Sequence, residues 1–111
     1  CYGPVTGGAN TNWLYTCTWP NKVFHNGDTV YGLVRLENVW VNHTFRAEFW
    51  RDGVKQWHAD QYNQVDKQWG WQYSHFWPRA TGIWPGTWEI RIYVDVGKGF
   101  ILLDTLPFTV L

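Results

Sequence analysis

The stretch HTFRAEFW, residues 43–50, decides the fold. His43, Phe45, Ala47 and Phe49 fall on one side of it, and Thr44, Arg46, Glu48 and Trp50 on the other. A period of two sends successive side chains to opposite faces of an extended chain. The stretch is therefore a β-strand with an apolar face toward a core and a polar face toward water. Arg51-Asp52-Gly53 follows, the chemistry of a tight hairpin turn. VKQWHADQY (54–62) then returns as its partner.

The same alternation spreads outward. In TWEIRIYVD (87–95), Trp88, Ile90, Ile92 and Val94 point inward, and Thr87, Glu89, Arg91 and Tyr93 outward. In TVYGLVRLENV (29–39), Val30, Val34 and Leu36 share a face opposed by Tyr31, Arg35 and Glu37. WLYTCTW (13–19) and WQYSHFW (71–77) are further strands, stopped by Pro20 and Pro78. FILLDTLPFTVL (100–111) closes the chain as one or two strands. Between them lie turns at 25–28 and 96–99, a polar loop at 63–70 and a turn-rich link at 79–86. No segment holds a helical period over ten residues. The expectation is an all-β chain: a single antiparallel β-sandwich of seven or eight strands. Residues 1–22 are expected as an extended N-terminal arm, and residues 23–111 as the sandwich domain.

The run FHNGDTVY, WRDG, WQYSHFWP, PGTWEIRIYVD and LPFTVL resembles Ig-like β-sandwich modules of secreted and surface-exposed bacterial proteins. Many of those modules are uncharacterised. The resemblance rests on Gly27-Asp28 leading into a strand, Asp52-Gly53 at a hairpin, Pro85-Gly86-Thr87-Trp88 opening a strand, and Phe108-Thr109-Val110 ending the domain. It covers about residues 23–111 and implies a non-catalytic accessory or surface role. It carries no ligand and no site residues, and the arm with its cysteines lies outside it.

At 111 residues the chain is long enough for one domain and one core. Nine basic and nine acidic side chains leave no net charge, which argues against a nucleic-acid partner. No apolar run approaches the roughly 20 residues that a membrane-spanning helix needs. Cys1 and Cys17 are expected to close a disulfide loop, which marks an oxidising, secreted or cell-surface location. Such a loop of about 15 residues is worth ~3 kcal/mol in the chain-entropy view. A lipid-modified Cys1 with Cys17 free, or a bridge to another chain, are the alternatives. Asn42-His43-Thr44 fits a glycosylation sequon.

Catalysis is not expected. Ser74 is the single serine and sits in a strand, with His75 pointing to the opposite face. His25, His43, His58 and His75 show no metal-ligand spacing, and His43 falls on an apolar face as a core or edge histidine with one hydrogen-bond partner. Asp28, Asp52 and Asp95 are turn formers. Glu48 and Glu89 have Arg46 and Arg91 two positions away, so a cross-strand charge ladder accounts for them. No cofactor is expected.

The aromatic content is the unusual feature: 10 Trp, 6 Tyr and 6 Phe. Trp88, Phe45, Phe49 and Phe108 belong to the core, and Trp71 or Tyr73 is expected as the buried aromatic of the sandwich. Trp50, Trp57, Trp69, Trp77, Trp84, Tyr31 and Tyr93 remain for the surface. Two partners suit such rings. A neutral glycan would stack its apolar C–H faces on them, which makes the chain a carbohydrate-binding module. Other copies of the chain would use them as interface anchors, with the N-terminal arm as a strand donor, which makes it a subunit of an extracellular filament or surface layer.

Overall fold

The computed structural model describes residues 5–10, 13–17, 23–31, 34–66 and 68–111; for residues 5–10, 13–17, 31, 35, 37, 38 and 72 it describes the backbone alone. Among these residues the chain is all strand and turn, with no helix. The strands are β1 (Val5–Asn10), β2 (Trp13–Cys17), β3 (Val23–Phe24), β4 (Val30–Tyr31), β5 (Val34–Val39), β6 (His43–Arg51), β7 (Val54–Asn63), β8 (Trp71–Phe76), β9 (Arg79–Ala80), β10 (Gly86–Asp95) and β11 (Phe100–Val110). They form a five-stranded sheet in the order β3-β11-β10-β6-β7, a four-stranded sheet in the order β1-β2-β5-β8, and a two-residue ladder between β4 and β9.

The alternation of 43–50 survives intact. His43, Phe45, Ala47 and Phe49 are buried, while Thr44, Arg46, Glu48 and Trp50 are half-buried on the outer face. β10 matches it, placing Ile90 opposite Phe49, Ile92 opposite Ala47 and Val94 opposite Phe45. Asp52 and Gly53 both take positive φ (50° and 79°), the backbone that a two-residue β6–β7 hairpin demands. That turn is tied to β10: the Asp52 N–H donates to Thr87 O at 2.7 Å, and the Thr87 N–H to Asp52 Oδ1 at 2.9 Å.

Both sheets feed one buried cluster. Val34 of β5 and Phe76 of β8 join Phe45, Phe49, Trp88, Ile90, Ile92 and Phe108 of the larger sheet. Phe45 and Phe76 stack across the gap, ring centroids 5.3 Å apart and nearly parallel. Fully burying such a ring contributes about 1.5–3 kcal/mol. Among the described residues the fully buried tryptophan is Trp88, its indole N–H donating to Trp84 O at 2.8 Å.

Three expectations need correction. The larger sheet is mixed: β11 pairs antiparallel with β10 but parallel with β3 over Val23–Phe24. Among the described residues there are eleven strands rather than seven or eight, because β1 lies in the segment expected as an arm and β3, β4 and β9 pair over only two residues, too few to leave a period in the sequence. Trp71 and Tyr73 are both exposed, and Trp88 holds the buried place assigned to one of them. The segment 1–22, expected as an arm, contains β1 and β2, which pair with each other antiparallel; β2 also pairs with β5. The proposed Cys1–Cys17 bridge lies outside the described residues.

Candidate functional site

The site is built on β8. In the stretch 71–78, Ser74, Phe76 and Pro78 are buried, while Trp71, Tyr73, His75 and Trp77 are exposed. Strand alternation therefore sets four rings in a row on the side of β8 away from the core. β8 is the edge of its sheet, with β5 on one side only, and Tyr73 lies opposite Glu37 and His75 opposite Arg35 in register. Tyr73 and His75 lie 6.2 Å apart by ring centroid. The surface over Gly70, Trp71, Tyr73 and His75 is a shallow, open depression.

Two more tryptophans extend the row at its start. Asp66 organises the turn before β8, its Oδ1 accepting the Gln68 and Trp69 N–H groups at 2.8 and 3.3 Å. That turn holds Trp69 out at 74% exposure, the most exposed large apolar side chain described. Gly70 has φ of +66°, and a Cβ there would meet the Trp40 ring at 2.8 Å. Glycine is thus required both by the backbone and by the ring lying over it. Trp40 itself is 57% exposed.

A buried polar network pins β8 from beneath. His43 Nδ1 lies 3.0 Å from Val41 O, a carbonyl that can only accept, so Nδ1 carries the proton. Nε2 of the neutral ring is then an acceptor, and the Ser74 hydroxyl donates to it at 2.6 Å. Asn63 Nδ2 donates to Ser74 Oγ at 3.0 Å. Gln61 Nε2 donates to His75 O at 3.1 Å. These bonds join β6 and β7 of the larger sheet to β8 of the smaller one. His43 and Ser74 are each 1% exposed, so this serine–histidine contact is closed to solvent and acts as structure.

The outer face of the five-stranded sheet is different in kind. Arg46 holds Asp60 through two hydrogen bonds of 2.8 and 2.9 Å. Lys55 Nζ lies 3.4 Å from Glu48, and Arg91 pairs with Glu89 at 2.7 Å. The ladder expected around Glu48 and Glu89 is present, with Lys55 rather than Arg46 as the partner of Glu48. Burial works to raise the Glu48 carboxyl, but hydrogen bonds from Trp50 and Tyr93, with the Lys55 ammonium, carry it below its ordinary value. The Arg46 hydrogen bonds hold the Asp60 carboxyl low in the same way. Burial first, then the hydrogen bond to Glu48, raises the Tyr93 phenol.

The seven surface candidates thus divide. Trp69, Trp77 and Trp84 are well exposed, the latter two at 49% and 48%. Trp69 and Trp77 bracket the β8 row, while Trp84 lies apart, with the Arg51 guanidinium 5.9 Å from its ring. Trp50 lies under the Arg91 guanidinium at 3.7 Å and donates to Glu48 at 3.1 Å. Tyr93 belongs to the same charged network. Trp57 stacks on Phe49 at 4.8 Å and packs against the core. The Tyr31 backbone pairs with Arg79, and its side chain lies outside the description. Sequence reasoning missed Trp40, and it expected one of Trp71 and Tyr73 in the core. No signal within 71–77 separates its two faces, because both carry rings.

Among the described residues no group of three or more His, Cys, Asp or Glu side chains is placed to hold a metal. Among them no helix is long and apolar enough to cross a membrane. No family model, no curated protein and no solved structure matches the chain.

Proposed function

We propose that the chain is a non-catalytic carbohydrate-binding module on an Ig-like β-sandwich, secreted or displayed at a cell surface. The observation that carries this is the exposed row Trp71, Tyr73, His75 and Trp77, with Trp69 and Trp40 at its start. Each of these side chains has a flat face and a polar handle: an indole N–H, a phenol or an imidazole. An amphiphilic ligand needs both. A sugar offers apolar C–H faces for stacking and hydroxyls for hydrogen bonding. Among the described residues most exposed aliphatic side chains lie elsewhere, on β11 (Ile101, Leu102) and at Val23, Val54, Val96 and Leu111, with Val41 beside Trp40 the exception. The sandwich reading is supported by the single buried cluster drawn from both sheets. Secretion follows from the reading, since polysaccharide surfaces lie outside the cell.

The test is a glycan array with the native chain beside Trp69→Ala and Trp77→Ala. Both positions are exposed, so the variants should keep the native circular dichroism. Glycan binding that falls at least several-fold in either variant is expected. Binding unchanged in both would sink the assignment of this face.

A second reading, a self-assembling subunit, rests on the edge strand β7. It runs ten residues and is exposed over nearly its whole length, with β6 on one side only. Such an edge can accept a strand from another copy. The opposite side is less suited: β3 covers β11 at Thr109 and Val110, and the rest of β11 carries a bulge at Leu103, Asp104 toward the core side opposite Ile92, and Pro107. Light scattering and electron microscopy without ligand distinguish the two readings, since ordered polymers favour assembly.

A further inference from the structure

We infer that the β8 face takes the interior stretch of a neutral polysaccharide chain, laid along the strand, rather than a chain end or a single sugar; this rests on the carbohydrate reading above. Alternate residues on a strand are ~6.8 Å apart, so Trp71 to Trp77 span ~20 Å. That length is several times one sugar ring. The row is also open at both ends among the described residues. Trp69 continues it past Trp71 at 74% exposure, and Trp77 closes the other end at 49%. A site that recognises a terminal sugar needs a pocket with walls, and here the surface over Trp71, Tyr73 and His75 is shallow.

Charge points the same way. The exposed side chains described along 69–77 include no carboxylate, guanidinium or ammonium. The charged pairs described on the outer face of the other sheet, Arg46–Asp60, Lys55–Glu48 and Arg91–Glu89, satisfy one another. Beside the row, Arg35 and Glu37 of β5 lie opposite His75 and Tyr73 in register and are of opposite sign, so together they add no net charge to this face. The underside of the row is held by the Ser74–His43 and Gln61–His75 contacts, so the rings are placed before the ligand arrives. Preorganised contacts in series convert each added sugar into an intramolecular binding step.

The experiment is titration calorimetry of the full chain with neutral gluco-, manno- and xylo-oligosaccharides of one, two, four and six units, and with the parent polymers. Affinity should climb at least tenfold from the dimer to the hexamer in the series that binds, then level off once the row is covered. Trp71→Ala and Trp77→Ala should each lower hexamer affinity several-fold and flatten the dependence on length. His75→Ala provides a second variant inside the row should Trp71→Ala disturb its contact with His43. A monomer or dimer that binds as tightly as the hexamer would overturn the interior-chain inference while leaving carbohydrate binding standing. Hexamer binding untouched by all three variants would also overturn it, because the sugar would lie elsewhere. No binding to any sugar or polymer would bring down both this inference and the reading on which it rests.

Discussion

Ser74 shows how much one small side chain can decide. It is the only serine in the chain, and its hydroxyl both donates to His43 Nε2 and accepts from Asn63. Removing it would leave His43 Nε2 and Asn63 Nδ2 only their long mutual contact of 3.4 Å in a buried setting. An unsatisfied buried donor or acceptor costs about 1–3 kcal/mol. Ser74→Ala is therefore expected to destabilise by about that much, read as a lower urea midpoint at unchanged slope. A midpoint within error of the native chain would show that the network contributes nothing. Trp71 should respond as well, since its ring meets the His43 ring edge-on at 6.5 Å. Asn42 is also engaged, its Oδ1 accepting the Val65 N–H at 2.9 Å, so the sequon asparagine has a structural task.

At the scale of elements, the β6–β7 hairpin carries a charge pair with a defined pH signature. Asp60 on β7 is held by Arg46 on β6, which lowers its carboxyl from the ordinary value of 3.8. The folded chain then binds a proton at Asp60 less readily than the unfolded chain does. A depressed carboxyl contributes stability in full above its unfolded value and loses it as pH falls through the folded value. The window thus opens near 3.8 and runs downward. Because both partners are about a third exposed, the pair contributes at most ~1 kcal/mol. Asp60→Asn should flatten the acid limb of the stability curve by that amount and leave the neutral plateau lower by the same margin. An acid limb identical to that of the native chain would remove the pair from the account. β11 shows the opposite economy: Asp104 Oδ2 is buried with no hydrogen-bond partner among the described residues, while Oδ1 accepts the Thr105 N–H at 2.7 Å.

For the whole molecule, the question is whether two sheets behave as one unit. Phe45 and Phe76 stack between them, and Phe45 is fully buried. Phe45→Ala should cost about 3–5 kcal/mol, through lost burial plus the cavity left behind. If the core is shared, tryptophan fluorescence and far-ultraviolet circular dichroism should report one coincident transition in the native chain and in the variant. Two separated transitions would mean that the sheets are stabilised independently.

The strands β6 and β10 were legible in the sequence because each has one apolar and one polar face. Phe45, Ala47 and Phe49, or Ile90, Ile92 and Val94, leave a single way to bury the strand. The Asp52-Gly53 turn was equally plain, since few other pairs accept positive φ at both positions. β3, β4 and β9 were not legible, because two paired residues carry no period. Trp57 shows a different limit: its place against Phe49 and Trp88 depends on a bulge between Phe49 and Trp50 that shifts the register of β7. What the amino-acid order by itself determined is which residues of WQYSHFW share a face, because the side-chain period of a strand is two. Which of those faces meets the core was decided only by the tertiary structure. Both faces carry rings, and the choice fell to the neighbours: Phe45 stacking on Phe76 and His43 bonding Ser74 draw the even-numbered side inward, and leave Trp71, Tyr73, His75 and Trp77 outside.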